Sequence, residues 1–255
     1  MDIVIPMSGN GTRFQGQNAQ KILNGFDIKG LGNVPKPFIE INGKSMIEIV
    51  LDTLNISGRI VLILNSQHIE RVEQVRSVLS RIKSRYNDII YIESDKKLQG
   101  PATTTLEAEQ YISNKALLVI NSDQFFTENF SSEFINHISK GSDADGIIVT
   151  YNSRKLNNSF AILDQYGNVR NVVEKPEKYI DNSFATTGVY FWRKGSDFLE
   201  GCHQMIKKGK TVAGEYYIAP IYNENIARDS KISIFQSFNV NLVGTPLDLK
   251  NYLCK

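Results

Sequence analysis

The first half of the chain repeats one pattern, a short apolar run followed by a stretch with helical spacing of apolar residues. Ile3–Pro6, Arg59–Leu64, Asp88–Glu93 and Ala116–Asn121 read as strands. Ser45–Leu54 reads as a helix with Met46, Ile47, Val50, Leu51 and Leu54 on one stripe. His68–Ser84 reads as an amphipathic helix with Ile69, Val72, Val75, Leu79 and Ile82 inward, and Thr103–Ile112 as a helix capped by its threonine. This βαβαβαβ order leaves few topologies, because parallel strands need long crossovers and those crossovers are right-handed. Ligands of such sheets collect at the carboxyl ends of the strands. The glycine-bearing loop after Pro6, Asn65-Ser66-Gln67 and Asp123 all fall at such ends.

The second half changes character. Gly146–Tyr151, Ala161–Asp164, Val169–Glu174, Ala185–Trp192 and Ile232–Phe235 read as strands, with Asp164-Gln165-Tyr166-Gly167-Asn168 as a hairpin turn. Helices are expected near Ser196–Lys208, in the later part of Glu215–Asn225, and over Pro246–Leu253. No linker rich in proline, glycine or serine divides the chain, and no internal repeat is present. The expectation is one α/β domain over residues 1–255 with a doubly wound mixed β-sheet. Gln15–Val34 is polar, glycine-bearing and too long for an ordinary turn, so it is either a mobile lid or a local elaboration of the fold.

Bulk properties exclude several classes. With 255 residues the chain can bury a sizeable core, and 41% hydrophobic and 22% charged residues are ordinary for a soluble globular protein. A net charge of +2 gives no broad electrostatic case for nucleic acid or membrane as a partner. Cys202 and Cys254 make neither a disulfide framework nor a metal-ligand spacing, which favours a reducing compartment. Met1-Asp2 runs directly into a strand, and no apolar run approaches a membrane span, so a cytoplasmic location is expected. In that setting the glycosylation sequon Asn10-Gly11-Thr12 is accidental. His68, His137 and His203 are isolated and read as structural or surface residues.

The chemistry-bearing segment is Pro6-Met7-Ser8-Gly9-Asn10-Gly11-Thr12-Arg13-Phe14, followed by Pro35-Lys36-Pro37-Phe38. Glycines let a backbone approach phosphate oxygens and turn through positive φ, while an arginine and a lysine add charge where a triphosphate carries its own. It is not a dinucleotide fingerprint, since Phe14 stands where the third glycine belongs. Nor is Gly43-Lys44-Ser45 a P-loop, because its first glycine is replaced by Phe38; Gly43-Lys44 reads as a turn before a helix.

These segments resemble the signature of the nucleotidyltransferases that activate sugar phosphates, in the variant beginning Pro-Met-Ala-Gly. The resemblance continues in family order at Gly100-Pro101-Ala102, Asn121-Ser122-Asp123, Val173-Glu174-Lys175-Pro176, Thr187-Gly188-Val189-Tyr190 and Gly244-Thr245-Pro246 with Asp248-Leu249, covering nearly the whole chain. It implies a Rossmann-like, GT-A-like fold, with residues 1–125 as a nucleotide-binding half and 126–255 as an acceptor-binding half. It implies an Mg²⁺-dependent enzyme that joins an NTP to a sugar 1-phosphate and releases pyrophosphate, for surface polysaccharide such as capsule.

By resemblance, Met7, Ser8, Gly9, Asn10, Gly11, Thr12 and Arg13 hold the triphosphate, and Gly100, Pro101 and Ala102 pack against the nucleobase. Arg13 neutralises the leaving pyrophosphate, Lys36 the α-phosphate, and Asp123 is the Mg²⁺ ligand. Glu174 accepts from sugar hydroxyls, Lys175 meets the acceptor phosphate, and Thr187 and Gly188 line the acceptor side. Phe160-Ala161 matches an aromatic-glycine pair imperfectly, and the aromatics of Glu215-Tyr216-Tyr217 are expected in the core rather than the site.

One departure stands out. Many family members place a second metal-binding aspartate where this chain has Leu242. Three alternatives remain: cytidylyl transfer to a polyol or amino-alcohol phosphate, a glycosyltransferase of similar topology, and a nucleotide-binding pseudo-enzyme. The glycosyltransferase is disfavoured because Gln124-Phe125 follows Asp123 where an Asp-x-Asp pair is wanted. Base, acceptor and oligomeric state stay open.

Overall fold

The computed structural model describes residues 1–9, 11–96, 98–140 and 142–255, and the backbone alone for Arg71. In chain order the first half gives β1 (Asp2–Pro6), α1 (Gln17–Ile22), three two-residue strands β2 (Ile28–Lys29), β3 (Glu40–Ile41) and β4 (Lys44–Ser45), and then α2 (Met46–Leu54). Next come β5 (Arg59–Asn65), α3 (Ser66–Arg71), α4 (Glu73–Arg85), β6 (Ile89–Ser94), α5 (Pro101–Leu106), β7 (Leu117–Ile120) and β8 (Gln124–Phe126). The second half gives α6 (Phe130–Lys140), β9 (Gly146–Tyr151), β10 (Ser159–Leu163), β11 (Val169–Glu174), β12 (Ser183–Trp192) and α7 (Gly195–Lys207). It ends with α8 (Ile221–Ile226), β13 (Ile232–Gln236), β14 (Val240–Leu242) and α9 (Pro246–Leu253).

Among the described residues nine strands form one mixed sheet with the order β11-β10-β12-β7-β1-β5-β6, and β9 branches from β12 and carries β13. β1 pairs in parallel with both β5 and β7, so the chain winds outward in two directions from its first strand. Alternate residues of the parallel strands feed opposite faces. Ile3, Ile5 and Leu62 join a core beneath α2, α4 and α6, whereas Val4, Val61 and Ile63 join a second core with α5, α7 and α8. The expected doubly wound α/β sheet is therefore present. In the second core the Trp192 and Tyr222 rings stack 4.4 Å apart, and the indole N–H donates to Asn225 Oδ1 at 2.9 Å, so a large buried aromatic keeps its polar atom satisfied.

Two helical expectations need correction. The stripe His68–Ser84 is two helices, broken at Val72, whose φ of −120° and ψ of 103° are extended. Ile69 and Val72 accordingly reach the core only in part, while Val75, Leu79 and Ile82 are buried. The helix expected over Thr103–Ile112 begins earlier, at Pro101, and ends at Leu106. Its cap is Gly100 rather than a threonine; Thr103 instead donates to Gly100 O at 2.9 Å. Gln15–Val34 is an elaboration of the fold, because it contains α1, which lies against α9, and β2, which pairs with β3. Its Leu23 and Val34 enter the core.

Local sequence explains the elements that lead to the site. Ser45 caps α2 in a capping box with Glu48, satisfying two orphan N–H groups at that end. Asn42 and Gly43 take positive φ and form the hairpin turn between β3 and β4, so Lys44, expected in a turn before a helix, lies in the short strand that leads into α2.

Candidate active site

β1 delivers the chain to the point where the strand order turns back, between β5 and β7, and a crevice opens at the carboxyl end of such a point. The loop after β1 is tied down residue by residue. The Met7 N–H donates to Ile63 O at 2.9 Å and its side chain is buried in the core. The Ser8 and Thr104 hydroxyls lie 3.2 Å apart, and open space surrounds Gly9. Asn10 lies outside the described residues. Gly11 has φ +62°, and a Cβ there would sit 2.6 Å from Lys36 Cβ and 2.9 Å from Lys36 N. This glycine therefore lets the loop close onto Lys36, a sharper demand than approach to a ligand. Thr12 and Arg13 then form an exposed turn anchored by the buried Phe14.

Lys36 opens a short 3₁₀ turn, Lys36–Phe38, whose Pro37 and Phe38 are buried. Its ammonium donates to Asp123 Oδ2 at 2.6 Å, with the two side chains 19% and 16% exposed. The other carboxylate oxygen, Oδ1, accepts from Gln124 Nε2 at 2.5 Å. Gln124 is fixed in turn by a strand pair that nothing local in the sequence announces. β8 pairs with β14 so that Leu242 stands opposite Gln124, and Val243 N donates to Asp123 O at 3.0 Å.

Arg13, Pro101, Asp123, Glu174, Lys175, Thr187 and Gly188 line one cavity of about 520 Å³. Lys36 joins them through Asp123. Gly100 and Ala102 serve as scaffold. Gly100 has φ +102°, and a Cβ there would sit 2.7 Å from Tyr216 O. Ala102 is buried, with its N–H on Tyr216 O at 3.0 Å. The Thr187 hydroxyl donates to Val149 O at 3.0 Å. Gly188, at φ +94°, gives room to the Asn121 and Gln124 side chains that pack behind Asp123.

Burial raises the Glu174 pKa, opposed by a hydrogen bond from the Ser159 hydroxyl and by the neighbouring Lys175 charge. Lys175 takes a left-handed φ of +46°, which costs about 1–3 kcal/mol in a residue with a Cβ and aims adjacent side chains differently from a regular strand. Phe160 and Ala161 are both buried in β10. Tyr216 is in the core as expected, but Tyr217 is not: it lines the cavity with Glu215. The signal missed was alternation, since neighbours in an extended segment face opposite ways.

Among the described residues no group of three or more His, Cys, Asp or Glu side chains gathers to hold a metal. A cation held by one protein carboxylate fits Asp123, a hard oxygen donor whose neighbour Gly244 has no side chain. A Cβ on Gly244 would stand 3.1 Å from Asp123 Oδ2 and crowd that oxygen. Residue 242 lines the same cavity as this carboxylate but carries leucine.

The sequence pattern of the nucleotidyl transferases matches residues 32–217, a span that holds Lys36, Asp123, Glu174, Lys175 and Tyr217. The chain belongs to the nucleotidyl transferase family. Among solved structures, this nucleotidyl transferase is similar to a nucleoside-diphosphate-sugar pyrophosphorylase from Vibrio cholerae RC9, with a TM-score of 0.75 at 22% identity over 99% of this chain and 100% of that one. It is also similar to the inositol-1-phosphate CTP transferase from T. maritima, with a TM-score of 0.67 at 16% identity over 99% and 92% of the two chains. A third likeness is to the CTP:phosphocholine cytidylyltransferase from Streptococcus pneumoniae, with a TM-score of 0.68 at 14% identity over 100% and 98%. At these identities the likenesses establish the fold. Curated proteins give no sequence match. No helix among the described residues is long and apolar enough to cross a membrane.

Proposed function

We propose that this nucleotidyl transferase joins an NTP to a sugar 1-phosphate, giving an NDP-sugar and pyrophosphate. Residues 1–255 would act as one nucleotidyltransferase domain, with 1–125 serving the nucleotide and 126–255 the acceptor. The observation that carries this reading is one cavity lined by Arg13, Asp123, Glu174 and Lys175, with Lys36 bonded to its Asp123.

In the reaction an acceptor phosphate oxygen bonds to the α-phosphorus as the bond to the β-phosphate oxygen breaks, and pyrophosphate leaves with that electron pair. The protein's share is positioning and charge neutralisation. Arg13 offers a forked donor to the departing phosphates and Lys36 a point charge to the α-phosphate. Lys175 draws in the acceptor phosphate, and Glu174, held by Ser159, accepts from an acceptor hydroxyl. Mg²⁺, when bound at Asp123, supplies charge neutralisation on the phosphates. Lys36, now bonded to Asp123, would exchange that bond for one to an α-phosphate oxygen.

The acceptor wall favours a polyhydroxylated molecule. Asn157 and Asn158 line it with amides, and the face of Tyr217 is already covered by the Lys175 ammonium, 4.2 Å from the ring centroid. A quaternary ammonium group binds on open aromatic faces, and this one is taken. A reaction fed by NTP runs in the cytoplasm, and its activated product suits polysaccharide assembly.

The likeness to two CTP-dependent enzymes acting on inositol 1-phosphate and phosphocholine motivates a second reading, cytidylyl transfer to a non-sugar phosphate. Pyrophosphate release, measured for each NTP against a panel of sugar 1-phosphates, inositol 1-phosphate and phosphocholine, separates them. The first reading expects release with a sugar 1-phosphate. Release confined to CTP with a non-sugar phosphate establishes the second, and no release from any pair removes both.

A further inference from the structure

We propose that Tyr217 is a positioning residue for acceptor binding: it fixes where the Lys175 ammonium meets the acceptor phosphate and ties that point to the nucleotide loop. The proposal rests on the reading of Lys175 as the group that receives the acceptor phosphate.

A lysine ammonium at the end of a four-carbon stem is a poorly placed charge unless its far end is held. Here both ends of Lys175 are held. Its N–H donates to Asn158 O at 3.0 Å. At the tip, the ammonium lies over the Tyr217 ring, 4.2 Å from the centroid, and also donates to the phenolic oxygen. That phenol donates onward to Glu215 Oε2 at 2.5 Å. Burial first, and then the hydrogen bond to Glu215, push the Tyr217 pKa up. The hydroxyl therefore stays protonated at neutral pH, accepting from Lys175 while donating to Glu215.

Tyr217 is itself placed by the loop that precedes α5. The preceding residue is stitched into the loop that opens α5: Tyr216 N donates to Gln99 O at 2.7 Å, and Ala102 N donates to Tyr216 O at 3.0 Å. Gly100 has no room for a side chain because Tyr216 backbone fills that space. On the other side a tight turn fixes Glu215, with Ala213 and Gly214 at positive φ and reciprocal backbone bonds between Val212 and Glu215. The acceptor lysine is thus mounted on a residue whose backbone belongs to the wall where Pro101 lines the cavity.

The test uses the full chain, the four NTPs, and glucose 1-phosphate, N-acetylglucosamine 1-phosphate and phosphocholine as acceptors. The best pair is then compared in wild type, Tyr217→Phe, Lys175→Ala and the double variant. Tyr217→Phe is expected to raise the acceptor KM about tenfold while the NTP KM stays within about twofold. In the Lys175→Ala background the same change is expected to add less than about twofold, because the group it positions is gone. Glu215→Gln, which leaves the ring intact, is expected to raise the acceptor KM in the same direction and serves if Tyr217→Phe melts without cooperativity. An unchanged acceptor KM in Tyr217→Phe, or an equal effect in both backgrounds, overturns the proposal and leaves the activity standing. A wild-type protein that releases no pyrophosphate from any pair overturns the activity reading and the proposal together.

Discussion

The Lys36 ammonium lies 2.6 Å from Asp123 Oδ2, so the two groups assigned to phosphate and to metal hold each other when no substrate separates them. Each keeps its partner from collapsing elsewhere, and each is oriented a second time, Lys36 by Gly11 and Asp123 by Gln124. Removing either charge leaves the other placed but uncompensated. Lys36→Ala and Asp123→Asn are each expected to lower kcat by about 10²–10³-fold. Circular dichroism and melting should show a retained fold, because both side chains reach solvent. Wild-type turnover in either variant removes the role given to that residue.

Gly11 makes a separate demand. Alanine there must adopt a left-handed backbone, at about 1–2 kcal/mol, and also displace Lys36, whose Cβ and N would lie 2.6 and 2.9 Å from the new methyl group. Gly11→Ala should lower the melting temperature by several degrees and reduce kcat with it. Gly9→Ala is the control, since nothing lies within 4 Å of its added Cβ. Equal melting temperatures for the two variants would contradict the packing described.

Leu242 lines the cavity together with Asp123, so a carboxylate introduced there would enter the site of the proposed metal ligand. A second oxygen anion raises affinity for a hard cation. Leu242→Asp is expected to lower the Mg²⁺ concentration giving half-maximal rate by about tenfold. An unchanged or higher requirement would mean that the metal is held away from this edge of the site.

Stability at low pH is expected to depend on Glu48. Burial alone would raise its pKa, but hydrogen bonds from Arg81 and from the Ser45 backbone and hydroxyl outweigh burial and bring it from 4.5 to about 2. The folded value lies below the unfolded one, so the stabilisation is complete above about pH 4.5 and is lost as the pH falls towards about 2. Glu48→Gln should therefore unfold more easily in urea at neutral pH, by about 1–3 kcal/mol, with a smaller deficit at about pH 3. A deficit independent of pH would show that the carboxylate charge is not what Arg81 and Ser45 stabilise.

What could be read from sequence was whatever is encoded locally. Ile3–Pro6 and Ala116–Asn121 are apolar runs with a loop at each carboxyl end, and the periodicity of Met46–Leu54 survives intact in α2. The fold class and family follow from such units in order. The break at Val72 was hidden because its spacing from Ile69 and Val75 suits a continuous helix, while the chain turns there to lay α4 along the sheet. β8 and β14 were invisible for another reason. Gln124–Phe126 and Val240–Leu242 are short, and their pairing spans more than a hundred residues, so only tertiary contact defines them. Tyr217 was hidden by its neighbour, since one member of an aromatic pair is core and the other faces the cavity.

Transfer of a nucleotidyl group onto an acceptor phosphate can be read directly by phosphorus NMR. One reaction holding protein, Mg²⁺, the preferred NTP and a sugar 1-phosphate suffices. The triphosphate and sugar-phosphate signals should be lost, with a coupled diphosphate pair and free pyrophosphate appearing in equal amounts. Nucleotide that stays intact in that reaction, or orthophosphate in place of pyrophosphate, would contradict nucleotidyl transfer to a sugar 1-phosphate.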